Sequence, residues 1–290
     1  MAIQEGHIPV PGGNIWYGIV GADRKGVPLV VVHGGPGAPH DYLEPLAALA
    51  DDRPIVFYDQ LGCGNSDKPD DLSLWTIERF VEELAQLRAA LDLARVHLLG
   101  QSWGSALVID YMLTRQPAGI AGLVLSGPLA SASRWIADQQ AHLRALPEEA
   151  QAAVRKAEAS GDFESAEYQA AMMQFYRRHV CRLERWPECL DRAFQKLAYP
   201  VYLKMWGPSE FSVSGTLKRY DRVDALKDIR VPVLFTCGEH DEATPRTTRL
   251  YQRHLPGSAI AVFPGASHEH HLEQPEHYLS AVRDFLAHHA

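Results

Sequence analysis

The stretch LLGQSWGSALVIDYML, residues 98–113, places a serine between two apolar runs. The letters GQSWG at 100–104 have the spacing G-x-S-x-G. The run Val96–Leu99 before this turn predicts a buried strand, and the residues from Ser105 to about Leu113 predict a helix. A serine on such a sharp turn holds its hydroxyl above the sheet, and a side chain at either end of the turn would clash, so glycine is needed there. The pattern predicts that Ser102 is a nucleophile.

Short apolar runs recur along the chain, with helical patterns between them. Several runs are continuous rather than alternating, which is typical of strands buried on both faces of a parallel sheet. A helix is predicted from Ile77 with Thr76 as its N-cap, because apolar residues then recur at spacings of three or four. Strands that alternate with helices predict an α/β fold. The predicted strands are Leu29–Val32, Ile55–Tyr58, Val96–Leu99, Leu123–Leu125, Val233–Thr236 and Ile260–Phe263.

This alternation stops between about Ser131 and Arg222. The segment is rich in Ala, Glu, Gln and Arg, has no strong strand run and is too long for a loop. The strand pattern resumes at Val231. We therefore predict a core with a mostly parallel sheet, residues 1–130 and 223–290, into which a helical cap, residues 131–222, is inserted.

A serine hydroxyl is a weak nucleophile and needs a base that is itself oriented by an acid. In a G-x-S-x-G enzyme of this kind the chain order is Ser, then Asp or Glu, then His. The letters EHDE at 239–242 follow one predicted strand, and GASH at 265–268 follow the next. Because functional residues gather at the carboxyl ends of parallel strands, we predict Asp241 as the acid and His268 as the base. The alternatives are Glu239 and Glu242 for the acid, and His240, His270 and His271 for the base.

Acyl transfer also needs two backbone N–H donors aimed at the developing oxyanion. One is predicted at Trp103, directly after the nucleophile and at a helix N-terminus. The other is predicted at Gly35, in the loop HGGPG at 33–37. That loop has neither phosphate-binding spacing, and a plain turn is the remaining alternative. A second glycine-rich loop, at 59–69, is interpreted as scaffolding in which Asp59 bonds to local backbone.

Composition and the N-terminal residues limit the classes of partner. The formal net charge of −8 disfavours a nucleic-acid or anionic-membrane partner. The first residues lack a signal-peptide pattern, and no apolar run approaches the ~18 residues of a membrane-spanning helix. The letters HEHH at 268–271 lack the H-E-x-x-H spacing, so we expect no metal. The cysteines lack C-x-x-C spacing, which favours reduced thiols in a cytoplasmic protein; they are Cys63, Cys181, Cys189 and Cys237.

Together these stretches resemble the proline iminopeptidase family of α/β-hydrolases, and they are similar to its tricorn-interacting aminopeptidase branch and to L-amino-acid amidases. The resemblance extends from about residue 10 to the C-terminus, and HGGPG followed by DQxGxGxS is fairly specific to this family. It implies cofactor-free removal of an N-terminal residue from a small peptide, or hydrolysis of an amino-acid amide, through an acyl-enzyme. The matching letters are HGGPG (33–37), DQLGCGNSDKP (59–69), GQSWGS (100–105), WGPSEF (206–211), GEHDEATP (238–245) and GASHEHHLEQPE (265–276).

The family binds the substrate's free α-amino group with acids from the cap and from the loop of the catalytic acid. Glu210 and Glu242 match those motifs, and the resemblance implies that they bind the amine. Gly34 of the HGGPG loop is assigned to substrate binding as well. A buried ammonium group needs paired carboxylates, whereas the alternative is that both glutamates are solvated surface acids.

Two local features leave the shape of the site open. Gln101 stands where the family often has a second glycine, a difference that could reshape the site without removing the nucleophile. Four aromatic residues of the cap are either a wall for the first side chain of the substrate or part of the core of the cap, and we favour the core. They are Tyr199, Tyr202, Trp206 and Phe211.

Two other functions stay open on the residues alone. A carboxylesterase or lactonase would use the same three catalytic residues without needing an ammonium group. A binding protein would keep the fold as a ligand pocket without catalysis. An epoxide hydrolase or haloalkane dehalogenase is disfavoured, because those enzymes have aspartate where Ser102 stands. The sequence makes no prediction of oligomeric state.

Overall fold

A computed structural model describes residues 3–290 of the chain. Its centre is one eight-stranded sheet, whose strands in chain order are β1 (Ile3–Val10), β2 (Gly13–Val20), β3 (Leu29–Val32), β4 (Ile55–Tyr58), β5 (Val96–Gln101), β6 (Ile120–Ser126), β7 (Val233–Gly238) and β8 (Ala259–Phe263). In space the order is β1-β2-β4-β3-β5-β6-β7-β8. The pairs β1–β2 and β2–β4 are antiparallel, and all the other neighbouring pairs are parallel. The predicted α/β fold with a mostly parallel sheet is confirmed, and all six predicted strands are present.

The first two strands form a hairpin that the sequence analysis did not predict. β1 is an edge strand in which only Ile8 and Val10 are buried, so it lacks a continuous apolar run. The available signal was the two-residue turn of Pro11 and Gly12, in which Gly12 has a φ of +99°. A polar edge strand of this kind carries a weaker hydrophobic pattern than a central strand.

The central strands are buried on both faces, which explains why their sequences read as continuous apolar runs. In β3, Val30 and Val32 join the hydrophobic core on one face of the sheet, while Leu29 and Val31 join the core on the other. All four side chains are 0% exposed. Each such burial contributes about 1.5–3 kcal/mol relative to an exposed side chain, which holds the strand ends in fixed positions.

Within residues 3–290, five α helices accompany the sheet outside the cap: α1 (Ile77–Ala90), α2 (Trp103–Arg115), α8 (Pro245–His254), α9 (His270–Glu273) and α10 (Pro275–His288). Thr76 caps α1 as predicted, since its hydroxyl accepts a hydrogen bond from the Arg79 N–H at 3.3 Å. α2 begins at Trp103, two residues before the predicted start, so the helix follows Ser102 directly. No helix within residues 3–290 combines the length and the apolar character needed to cross a membrane.

The segment between β6 and β7 contains α3 (Ala132–Arg144), α4 (Glu148–Ser160), α5 (Ala166–His179), α6 (Glu188–Gln195) and α7 (Tyr199–Met205). Its two ends lie side by side, because Ala132 N donates to Tyr220 O at 2.9 Å and Arg222 N donates to Ala130 O at 2.8 Å. Side chains of α3, α4 and α5 form a separate hydrophobic cluster around Phe175. The boundaries of the cap at 131 and 222 stay a prediction, which these contacts support.

Candidate active site

Ser102 lies on a strained turn between β5 and α2. Its φ of +55° and ψ of −122° lie where residues with a side chain are uncommon. Glycine is required on both sides of it: a Cβ at Gly100 would lie 2.4 Å from Gly104 O, and one at Gly104 would lie 2.1 Å from Val32 O. The Ser102 N–H donates to Ser126 O at 2.9 Å, which ties the turn to β6. The G-x-S-x-G spacing is thus a steric requirement of this turn.

Two backbone N–H groups near this serine have no acceptor within residues 3–290: those of Gly35 and Trp103. Gly35 has a φ of +107°, and a Cβ there would lie 2.4 Å from Gly37 N. Gly35 and Ser102 line the same cavity. The two N–H groups predicted for an oxyanion are therefore free to donate.

The N–H group of Gly34 is used within the protein. Its N–H donates to the Tyr42 hydroxyl at 2.7 Å, and that hydroxyl donates to Gln101 Oε1 at 2.6 Å. A Cβ at Gly34 would lie 2.5 Å from the same Gln101 oxygen. The loop itself uses the N–H of Gly34, and the assignment of this residue to substrate binding stays a prediction. Gln101, the departure from the family pattern, is the residue that holds this arrangement.

A glutamine that the sequence analysis did not single out joins the two glycine-rich loops to the serine turn. Gln60 N donates to His33 Nε2 at 2.9 Å, and Gln60 Nε2 donates to His33 O at 3.0 Å. Trp103 Nε1 donates to Gln60 Oε1 at 2.9 Å. Burial lowers the pKa of His33 to about 4, so the ring is neutral and Nε2 accepts. Asp59 accepts a hydrogen bond from Asn65 N in its own loop, as predicted, and another from His40 N in a different segment, at 2.8 Å each.

Asp241 and His268 are joined by a buried hydrogen bond. His268 Nδ1 lies 2.7 Å from Asp241 Oδ1, and the two residues are 4% and 0% exposed. Two backbone N–H groups hold the carboxylate, that of Ala243 at 2.7 Å and that of Gly238 at 3.1 Å. The carboxyl group of Asp241 thus presents an oxygen to the ring and fixes Nδ1 as a protonated nitrogen.

The alternative histidines have other partners. His270 Nε2 lies 2.9 Å from Thr236 Oγ1, and its Nδ1 lies 3.1 Å from Ser267 O. His271 Nε2 donates to Tyr42 O at 3.0 Å. Burial lowers the pKa of His270 to about 4 and that of His271 to about 3, so both are neutral. Within residues 3–290 no group of three or more His, Cys, Asp or Glu side chains is arranged to hold a metal ion.

Two further residues shape the position of the His268 ring, and neither was predicted from the sequence. A Cβ at Gly127 would lie 2.5 Å from His268 Cε1, so only glycine leaves room for the imidazole. The Trp135 ring packs edge-on against the imidazole at a centroid distance of 5.9 Å. The strand end before Gly127 was a usable signal, whereas the contact of Trp135 depends on how α3 packs over the sheet.

Glu242 contacts the other ring nitrogen of His268. Its Oε1 lies 3.3 Å from His268 Nε2, and its Oε2 is buried without a hydrogen-bond partner among the described residues. Glu210 accepts a hydrogen bond from the Tyr202 hydroxyl. Within residues 3–290, Ser102 Oγ makes no hydrogen bond to His268, although both residues line one cavity with the two glutamates. The two glutamates face this cavity and are not surface acids.

The charges in this cavity are strongly coupled. Burial raises the pKa of both Glu210 and Glu242, and the neighbouring His268 opposes that rise. For His268, burial lowers the pKa, but the carboxylates of Asp241 and Glu242 outweigh it and raise the pKa to about 10. Glu269 lines the cavity too, and burial raises its pKa to about 8. The site therefore holds more acidic groups than cationic ones, which favours a positively charged ligand.

The cavity has a volume of about 290 Å³ and extends from Ser102 under the helices of the cap. The lining from α5 and α6 is largely apolar and aromatic and includes Tyr168, Met172, Leu190 and Phe194. Of the four aromatic residues of the cap, two lie at the cavity wall and two lie in the core. Tyr199 and Tyr202 line the cavity, whereas Trp206 and Phe211 are buried in hydrophobic clusters and do not line it.

Comparison with known proteins shows an α/β-hydrolase with close similarity to proline iminopeptidases. A family model described as alpha/beta hydrolase fold matches residues 27–275. A proline iminopeptidase of Heyndrickxia coagulans is 45% identical over 285 residues, covering 97% of this chain and 98% of that protein. The crystal structure of a proline iminopeptidase of Mycobacterium smegmatis has a TM-score of 0.91 and 38% identity, covering 99% of this chain and 98% of that one. The structure of VinJ has a TM-score of 0.95 and 36% identity, covering 99% of each chain.

Proposed function

Because this chain belongs to the proline iminopeptidase family of α/β-hydrolases, we propose that it releases an N-terminal residue, proline or another apolar residue, from small peptides or amino-acid amides. The observation that carries the proposal is the grouping of residues on one cavity. Ser102 and His268 line it together with Glu210 and Glu242, and Asp241 is bonded to His268 behind them.

The reaction begins with Ser102 and His268. His268 Nε2 takes the proton of the Ser102 hydroxyl while Oγ forms a bond to the carbonyl carbon of the first residue. The N–H groups of Gly35 and Trp103 donate to the oxygen on which negative charge develops. Asp241 keeps the proton on Nδ1 and stabilises the imidazolium that forms.

The tetrahedral intermediate collapses with cleavage of its C–N bond. His268 gives its proton to the leaving amine, and the first residue stays bound to Ser102 as an ester. Water then attacks the ester, with His268 as the base again, and the free amino acid is released. No step needs a cofactor.

Glu210 and Glu242 explain why the enzyme would act at a chain terminus. The first residue of a peptide carries an ammonium group, and the two carboxylates can pair with it inside the cavity. An internal peptide bond offers no such cation, so the two carboxylates would form no ion pair with it. The apolar and aromatic lining of the cavity supports a first residue that is apolar, such as proline.

A panel of arylamides of proline, alanine and phenylalanine tests the proposal, together with short acyl esters. Wild type is expected to cleave at least one free-amine arylamide, and Ser102→Ala is expected to lose at least about 10⁴-fold in kcat because the nucleophile is gone. An unchanged rate in Ser102→Ala would contradict the mechanism. A preference for esters over every amide would instead identify a carboxylesterase.

A further inference from the structure

The base of the proposed triad is contacted from both sides by carboxylates that are neighbours in the sequence. Asp241 holds Nδ1 of His268, and Glu242 Oε1 lies 3.3 Å from Nε2. Nε2 is the atom that must accept the proton of Ser102. The carboxylate of Glu242 therefore competes with the serine for the nitrogen that catalysis needs.

This contact is stable only when a proton lies between Nε2 and Glu242, and we place it on Nε2 because the Asp241 carboxylate on the other side of the ring stabilises an imidazolium. Nδ1 already carries the hydrogen that faces Asp241, so an unprotonated Nε2 would present its lone pair to the Glu242 carboxylate. Two acceptors this close repel each other, and with side chains 5% and 8% exposed they gain little screening from water. Protonation turns the repulsion into an ion pair. The raised pKa of His268, about 10, agrees with this reading of the geometry.

We infer that Glu242, beyond its proposed role in binding the amine, holds His268 protonated and inactive until the ammonium group of a substrate takes the place of the imidazolium. Glu242 can make this exchange because its Oε2 is buried, has no hydrogen-bond partner among the described residues and belongs to a side chain that lines the cavity. The inference rests on the proposed function, since it needs an ammonium group as the arriving ligand.

The exchange balances in protons and charge. Before binding, His268 carries hydrogens on both ring nitrogens and Glu242 is a carboxylate. The arriving ammonium donates N–H bonds to Glu242 and Glu210, so its charge replaces that of the imidazolium. The Nε2 proton then leaves to solvent, one proton for each ammonium bound. His268 is left neutral with a free lone pair on Nε2, and Ser102 can donate to it.

The other groups that face His268 do not perform this function. Asp241 remains paired with Nδ1 before and after the exchange. Glu210, across the cavity, and Glu269, next in the chain, both raise the negative potential at the ring but have no contact with Nε2 within residues 3–290. His270 is neutral, and Trp135 meets the ring only through its edge. The charge removed by Glu242→Gln is therefore the one in contact with the reacting nitrogen.

The test uses phenylmethylsulfonyl fluoride, which reacts with an activated serine and carries no ammonium group. Its rate of reaction with Ser102 in wild type is expected to be low at neutral pH and to rise towards the pKa of His268, about 10. Glu242→Gln is expected to raise the rate at neutral pH by at least about tenfold, because each unit of pKa changes the neutral fraction of the imidazole about tenfold. The same variant is expected to lose cleavage of prolyl arylamide.

Glu239→Gln is the matched control, because Glu239 lies on the same loop with a side chain that is 56% exposed. It is expected to follow the wild-type profile in both assays. A Glu242→Gln profile that stays within about twofold of wild type over the whole pH range would overturn the inference, since a single pKa unit should give about tenfold. A gain in one reaction with a loss in the other cannot come from misfolding.

A second measurement does not depend on the folding of Glu242→Gln. Calorimetry of prolyl arylamide binding to Ser102→Ala, in buffers that differ in ionisation enthalpy, counts the protons released. About one proton per ligand at neutral pH is expected, and none would overturn the inference. If wild type cleaves N-acetylated and free substrates equally well, the proposed function itself fails. If only the pH profile and the proton count disagree, this inference fails alone.

Discussion

The two sides of His268 are built differently, although the carboxylates that contact them are consecutive in the sequence. On one side, Asp241 is fully buried, bonds to Nδ1 and accepts backbone N–H groups from Gly238 and Ala243. On the other side, Glu242 touches Nε2 with one oxygen and leaves the other without a partner within residues 3–290. A carboxylate whose hydrogen bonds are all made within the protein holds the ring in one position. A carboxylate with an unbonded oxygen beside a cavity can instead bond to an arriving ligand. Asp241 therefore orients the His268 ring, whereas Glu242 is the carboxylate proposed to recognise the substrate.

The Asp241 side should be the more sensitive to a loss of charge. In Asp241→Asn, the NH₂ group must face a backbone N–H or the His268 Nδ1–H, so the ring loses its position and tautomer. We expect kcat to fall by about 10⁴-fold, as tautomer loss does in other serine hydrolases. Steady-state kinetics on prolyl arylamide measures this fall. Glu239→Gln, on the same loop, should keep wild-type kcat, and an Asp241→Asn enzyme within tenfold of wild type would remove Asp241 from the mechanism.

Filling the space beside the His268 ring should lower kcat by a smaller factor. Gly127→Ala places a methyl group 2.5 Å from His268 Cε1 and should push the imidazole away from Ser102. Displacement by about 1 Å is enough to lower kcat by about 10²-fold. Gly161→Ala is the matched control, because Gly161 also has a positive φ but no atom within 4 Å of an added Cβ. Both variants should lose about 1–2 kcal/mol in urea unfolding, and equal kcat values for the two would contradict the steric role.

The protonated state of His268 also predicts how stability depends on pH. Its pKa in the folded protein is about 10, above the ordinary value of 6.5, so the folded state binds the proton more tightly than the unfolded state does. The resulting stabilisation is complete below the ordinary pKa and is lost as the pH rises through about 10. Urea unfolding of the free enzyme should therefore show a lower free energy of unfolding at alkaline than at neutral pH. The decline should be smaller in Glu242→Gln, and an identical decline would contradict the Glu242 contact.

The sequence predicted best the parts of the site that lie at strand ends. The strands before Ser102, Asp241 and His268 are continuous apolar runs, because both faces of the sheet are covered, and parallel strands bring their ends to one edge. The Asp241–His268 hydrogen bond lies where that pattern predicts. Ser102 follows a strand of the same parallel set, so the order of the strands alone brings it to the edge of the sheet where Asp241 and His268 lie.

The sequence could not predict features that depend on packing between distant segments. Gln60 bridges His33 and Trp103, but the motif DQxGxGxS in which it stands does not reveal these partners. Trp135 meets His268 from the first helix of the cap and stands in none of the quoted motifs. The hairpin β1–β2 was missed because its edge strand exposes most of its side chains. The contact of Glu242 with His268 Nε2 depends on the rotamers of two adjacent loops, which a one-dimensional pattern does not encode.

The claim that recognition depends on a free amine is tested most directly by one ratio in the wild-type enzyme. It is kcat/KM for prolyl arylamide divided by kcat/KM for N-acetylprolyl arylamide. Glu210 and Glu242 predict a ratio of at least about 10², because an N-acetylated substrate forms no ion pair with either carboxylate and the loss of one partner of such a pair costs about 3–5 kcal/mol. Glu210→Gln should bring the ratio closer to one by weakening only the free-amine substrate. A ratio near one in wild type would contradict the account.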